Sequence, residues 1–279
     1  MSSGPAAGGE SPLSGSITDP GVDGLPGGTT GGRRPPPADT APVTIQHHLV
    51  RYAKRGKMRF ASHLDVARAF ERGVRRSGLP IAYSAGFTPH PKISYAGGAP
   101  TGVASEAEYL SLTLTSRTEA DDARERLNAA LPDGIDVIAV TEDSGRLPAS
   151  RLTASQWQIA LPGLPADNVV PVVEEFLALT EAPVERLTSK GLRRMDARAA
   201  VVSLDVLDDV STASCLPEGR PPVPAGCALR MIVRHTVPSV RPDDVLNALR
   251  DVSDVFPAEQ PLMTRLAQGS LGESGEVEL

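Results

Sequence analysis

Residues 43–80, VTIQHHLVRYAKRGKMRFASHLDVARAFERGVRRSGLP, decide the fold class. Val43 to Phe60 alternates and is rich in Val, Ile, Tyr and Phe, with a charged, Gly56-containing turn at Lys54–Lys57, so it predicts a strand or a hairpin. Ser62 then opens a helix. Its hydroxyl suits an N-cap, and Asp65, three residues on, makes an acidic variant of the capping box at the positive end of the helix dipole. Gly78 and Pro80 stop the helix. Beyond it, Gly86, Pro89 and Pro91 divide Ile81–Tyr95 into two short extended pieces around a rigid turn, and Glu108–Thr115 (EYLSLTLT) alternates as a strand. Thr118–Leu131 has helical spacing at Ala123, Leu127 and Ala130, and the turn Pro132-Asp133-Gly134 leads into a strand at Ile135–Val140. The order β, α, β, β, α, β predicts a ferredoxin-like α+β arrangement over residues 43–145.

From Gln156 the pattern recurs. Strands are expected at Gln156–Leu161, Val184–Thr188, Arg198–Leu207 and Ala228–Val233, with helices at Asn168–Leu179 and Arg241–Val252. The fold class expected is therefore α+β with two ferredoxin-like halves, the second (150–268) diverged and interrupted by a Pro-rich loop at 211–226. Residues 1–42 hold 10 glycines and 8 prolines with few large apolar side chains, and predict a disordered tail; residues 269–279 predict an acidic flexible one.

The 279-residue chain has 28 basic and 34 acidic residues, a formal charge of −6, and an ordinary apolar fraction for a globular protein. Cys215 and Cys227 are too few for a disulfide scaffold and wrongly spaced for a zinc or iron–sulfur site, so both read as inert thiols in a reducing, cytoplasmic setting. No apolar run of membrane-spanning length and no signal-peptide pattern is present, which points away from the membrane and from export.

Against that acidic background, Arg51–Lys92 carries ten basic residues and two acids, Asp65 and Glu71. A local charge inversion of this kind favours a polyanionic partner while net repulsion limits indiscriminate binding. Arg68, Arg72, Arg75 and Arg76 fall along one side of the predicted helix, and Val66, Phe70 and Val74 along another. With Lys54, Arg55, Lys57 and Arg59 before the helix and His90 and Lys92 after it, they form a candidate nucleic-acid or phosphate surface. The alternative is a solvated helix face.

His63 occupies the first turn of the helix, and His90 is clamped between Pro89 and Pro91. His63, His90 and Asp65 are candidates for acid–base chemistry on an RNA phosphodiester without a metal, against a plain turn in which His63 bonds Asp65. Tyr83, Phe87 and Tyr95 interleave with the basic residues, as base-stacking side chains do, and are equally good strand residues. Lys190–Asp196 (KGLRRMD) is a second, weaker basic cluster.

The stretch from Lys54 to Tyr109, KRGKMRFASHLDVARAFERGVRRSGLPIAYSAGFTPHPKISYAGGAPTGVASEAEY, resembles the signature of a radical-SAM-linked family, domain-of-unknown-function family 2344. The segments KGLRRMDAR and RPDDVLNAL resemble it too. In that family the domain is fused to, or encoded beside, a radical-SAM protein with a cobalamin-type domain. This chain has no CxxxCxxC. The resemblance therefore implies a companion role, with SAM and an iron–sulfur cluster held by a partner enzyme and no cofactor in this chain. The expectation is a non-catalytic accessory protein that binds RNA or another substrate for a separately encoded radical-SAM enzyme. The alternatives are a metal-independent RNA-processing enzyme using His63 and His90, and a protein-interaction module that docks on the radical-SAM partner.

Overall fold

The computed structural model describes residues 44–279 apart from 146, 189–190, 209–224 and 257–260. The expected tail at 1–42, most of the Pro-rich loop with Cys215, and Lys190 lie outside the described residues.

Strand β1 (Gln46–Lys54) runs into a 3-10 turn at Gly56–Phe60, and helix α1 (His63–Ser77) follows. The sequence signals at both ends of α1 hold. Ser62 Oγ accepts from Asp65 N at 3.2 Å and Asp65 Oδ2 accepts from Ser62 N at 3.1 Å, a reciprocal capping box that satisfies two of the helix's orphan donors. Gly78 closes the helix with φ 66°, a left-handed conformation that costs glycine nothing. Val66, Ala69, Phe70 and Val74 are buried, and the Phe70 ring meets Tyr52 of β1 edge-on with centroids 4.7 Å apart. Gly73 lets α1 close on the end of α2 (Ala120–Ala130), since a Cβ there would stand 2.8 Å from Leu131 Cδ2.

The remaining strands of the first block are β2 (Ile93–Ala96), β3 (Ala104–Leu114) and β4 (Ile135–Asp143). β1 lies between β4 and β3, and β2 pairs with β3, all antiparallel, giving the order β4-β1-β3-β2. The second block contains β5 (Ala154–Pro162), α3 (Ala166–Ala178), a separate hairpin of β6 (Pro183–Thr188) and β7 (Gly191–Asp196), and the short α4 (Ala197–Ala200). It continues through β8 (Val201–Leu207), β9 (Gly226–Arg234), α5 (Pro242–Val252) and β10 (Leu262–Leu271), with β11 (Val277–Glu278) folded back on β10. Its main strands take the order β10-β5-β9-β8, again antiparallel throughout. The chain is thus a mixed helix-and-strand fold with five α-helices among the described residues and one large, mostly antiparallel sheet.

The two blocks join where β10 pairs parallel to β3 at Thr264↔Ala104 and Arg265↔Ser105. β3 is long enough to serve two neighbours on one edge, β10 at its start and β2 at Tyr109–Leu112. β10 is the long strand that sequence patterning missed. Three of its five buried positions, Thr264, Arg265 and Gln268, are polar, so it lacks the apolar alternation of a strand. Residues 269–279, expected as an acidic flexible tail, instead complete β10 and pair through β11 with Ser270 and Leu271. KGLRRMD is mostly strand β7, and Arg198, expected in a strand, starts no strand but sits in α4.

At the seam the buried Arg265 guanidinium pairs with the buried Glu108 carboxylate, while its Nη1 donates to Gln268 Oε1 at 2.6 Å and its Nε to Ser105 Oγ at 3.3 Å. Its face lies over the Trp157 ring, 5.6 Å from the centroid. Glu108→Ala removes the one carboxylate paired with this guanidinium among the described residues, leaving a buried charge without compensation. The expected loss is about 3–5 kcal/mol in urea unfolding. A midpoint and m-value equal to wild type would show that the two blocks do not depend on this pair.

Candidate functional site

The basic segment divides in two once folded. Lys54 and Arg59 are buried: Lys54 Nζ donates to Ala99 O and Pro100 O at 3.3 and 3.2 Å, and Arg59 Nε donates to Gly102 O at 2.8 Å. Arg55 is engaged with Glu106 and Asp136, and Arg76 donates to Ala130 O. These four are structural. Arg68, Arg72 and Arg75 project from α1 into solvent and form no ion pair among the described residues; Lys57 and Lys92 are exposed as well. Phe60 and Leu64 are large exposed apolar side chains beside the same face, and composition alone did not single them out.

The expected histidine pair is not brought together. His63 leans on Gly98, where an added Cβ would meet its Cε1 at 2.2 Å. His90 sits in the tight turn before β2, its N–H donating to Ser84 Oγ at 3.0 Å. Seven residues of largely extended chain separate His90 from Gly97, roughly 20 Å at about 3.3 Å per residue. Asp65, the third candidate, is committed to Ser62, whose hydroxyl and backbone N–H hold its carboxyl below the usual range. Of the stacking candidates, Phe87 is exposed at the tip of the His90 turn, Tyr83 is half-buried, and Tyr95 packs edge-on against Phe70 as part of the core.

What His63 does line is a cleft of about 480 Å³ between the α1 start, the loop Gly97–Thr101, β5, the end of β9 and the α5 start. Ser155, Trp157, His235, Arg241, Arg265 and Gln268 complete its polar and aromatic lining. The loop forming its rim is held from beneath. Ala99 N donates to both Glu108 oxygens, at 3.3 and 3.1 Å, while Lys54 takes the carbonyls of Ala99 and Pro100. Lys54 and Arg265 thus both lie near the buried Glu108 carboxylate beneath the loop. Burial and the neighbouring Arg265 and Arg59 charges draw the Lys54 ammonium below its ordinary range.

Within the cleft, His235 Nδ1 is 2.7 Å from Leu152 O, and Nε2 is 2.7 Å from Ser155 Oγ. A carbonyl can only accept, so Nδ1 carries the proton and the Ser155 hydroxyl donates to Nε2. Burial lowers the pKa of His235, which favours the neutral ring. Sequence reading missed this pair because Ser155 and His235 are 80 residues apart and carry no local motif. Cys227 is a buried free thiol whose pKa burial pushes up, as an inert cysteine requires.

Comparison with known proteins adds a family. The model described as "Uncharacterized protein conserved in bacteria (DUF2344)" matches residues 48–242, a span that includes α1, the loop at the cleft rim and the Ser155–His235 pair. No curated protein matches the chain. Among solved structures, the crystal structure of an unknown protein from Galdieria sulphuraria is 13% identical, covers 75% of this chain and 92% of its own, and has a TM-score of 0.21.

His48 is also buried, and burial lowers its pKa as it does that of His235. For both, the unfolded chain, at the ordinary value of 6.5, binds more protons than the folded one between that value and the lowered folded value. Stability is therefore fully present above 6.5 and falls as pH drops through the window below it. Urea unfolding at pH 7 and pH 5.5 should show this decline, and His48→Gln with His235→Gln should reduce it. An undiminished decline in the double variant would assign it to other groups.

Proposed function

The chain belongs to the DUF2344 family of uncharacterized proteins conserved in bacteria, and on that premise we propose that it is a non-catalytic accessory protein that holds RNA for a separately encoded radical-SAM enzyme. The observation that carries the RNA part is the state of the α1 arginines. Arg68, Arg72 and Arg75 point outward unpaired among the described residues, while Lys54 and Arg59 are buried, Arg55 is matched to acids and Arg76 is bonded to the Ala130 carbonyl. An unspent cationic stripe about 10 Å long, at about 1.5 Å per residue, suits successive phosphates of a single strand. Lys57 and Lys92 extend the positive surface, and the exposed rings of Phe60 and Phe87 offer stacking faces.

The partner follows from the signature between Lys54 and Tyr109 and from the missing CxxxCxxC, which assign SAM and the iron–sulfur cluster to the other protein. We read the matching strand orders of the two blocks as two ferredoxin-like halves, and the setting as cytoplasmic. The separation of His63 from His90 disfavours a two-histidine RNA-processing mechanism. A second reading, docking on the radical-SAM partner through this same face, draws on the exposed Phe60 and Leu64 beside the arginines. Nuclease-resistant recovery of the radical-SAM protein, lost on Phe60→Ala with Leu64→Ala, would favour it over RNA.

For RNA, fluorescence anisotropy with a labelled single-stranded oligonucleotide should give an affinity that falls as salt rises, with a log–log slope of about −0.7 per contacted phosphate. The combined Arg68→Ala, Arg72→Ala and Arg75→Ala variant should flatten that slope by about 2. No salt-sensitive affinity in the wild-type protein, or an unchanged slope in the variant, would rule the stripe out as an RNA surface.

A further inference from the structure

Hairpin β6–β7 stands apart from the large sheet, and the register of its two strands separates two faces. One face is turned to the protein. Val184 and its cross-strand partner Met195 are buried in the core of the second block. In the next row on that face Arg186 is bound to Asp244 at the start of α5 and donates to Ser239 O at 3.0 Å, and Arg193 opposite it is exposed. The other face is turned to solvent and carries Glu185 opposite Arg194, then Leu187 opposite Leu192. Leu187 is 80% exposed and Leu192 61%, so two leucines adjacent across the ribbon stay in water together. Glu185 and Arg194 are exposed beside them and form no ion pair, with each other or elsewhere, among the described residues. Asp196, in the row at the base, accepts from Ala182 N at 3.0 Å and Ala199 N at 3.2 Å.

An apolar pair left in water favours a docked partner, and the charged row next to it selects which. RNA would gain at Arg194 and lose at Glu185, and leucine has no ring face on which a base could stack. A protein of one dominant charge would likewise match only half of the row. A second copy of the same face matches all of it. Turning one ribbon by 180° about its long axis and laying it on the other brings β6 of each copy over β7 of the other, row on row. Leu187 then meets the other copy's Leu192, Glu185 meets the other copy's Arg194, and by symmetry the reverse holds. Both exposed rows are complementary to themselves under this one operation. Arg193, on the inner face, does not enter the contact.

We propose that this face pairs the protein with a second copy of itself as a two-fold dimer, through the leucines of both ribbons and the Glu185–Arg194 contacts between them. Strands of 6 residues, at about 3.3 Å per residue, make a ribbon roughly 20 Å long. Such a contact is small beside a standard interface, so the dimer is reversible and forms as protein concentration rises.

Sedimentation velocity of the full chain over a concentration series tests the pairing. Wild-type protein should pass from monomer to dimer as concentration rises. Leu187→Ser with Leu192→Ser should raise the dissociation constant by at least about tenfold, through the apolar burial that is lost. Charge reversal then separates contacts between copies from contacts within one. Glu185→Arg alone and Arg194→Glu alone each set like charges across the two-fold axis and should weaken the dimer by about tenfold. Mixed in equal amounts, the two variants set opposite charges across it, and they should associate with each other about as well as wild type does with itself.

A wild-type protein that stays monomeric at every concentration overturns the proposal, as does a dimer indifferent to both reversals or a mixture that fails to associate. A monomer whose RNA affinity falls on Arg194→Glu would also overturn it and give the face to RNA.

Discussion

Arg265 and Glu108 meet in the interior where β10 crosses to β3, and their pairing governs how the two blocks can be joined. An ion pair this deep recovers its desolvation cost only with good geometry and further hydrogen bonds. Both partners have them: Arg265 reaches Gln268 and Ser105, and Glu108 takes the backbone of Ala99. The same pair therefore sets the position of the loop Gly97–Thr101 on one side and the orientation of Gln268 on the other. One buried contact thus touches both the seam of the sheet and the rim of the cleft.

That dependence explains why the first block was readable and the second only partly so. Ser62, Asp65 and Gly78 are local signals whose chemistry acts within a few residues, and α1 forms where they place it. The alternation of EYLSLTLT reports a strand with one apolar face, and β3 includes most of it. β10 had no such signal. Its buried Arg265 is tolerable because Glu108 and Ser105, more than a hundred positions away, complete it, and no window of sequence contains that information.

The same limit applies to charge. Ten basic residues summed along Arg51–Lys92 describe a surface only if all of them reach it, and Lys54 and Arg59 face inward to backbone carbonyls. Helical spacing did separate the outward arginines of α1 from its buried valines and phenylalanine, because a helix face is a local property. The cleft was visible only in part, through His63. Ser155 and His235, Gln268 and Arg265 come from three strands or strand ends that only the folded sheet brings together.

Because β10 is the last long strand and lies in the middle of the sheet, order of synthesis becomes a constraint. Glu108 precedes Arg265 by 157 residues. At about 5–20 residues per second, β3 waits roughly 8 to 30 s on the ribosome with its Ala104–Ser105 edge open and its carboxylate unmatched. The nascent first block is thus an unfinished sheet with an exposed pairing edge, and its protection during that interval falls to β2, which covers only the far end of β3, and to whatever chaperone attends the emerging chain.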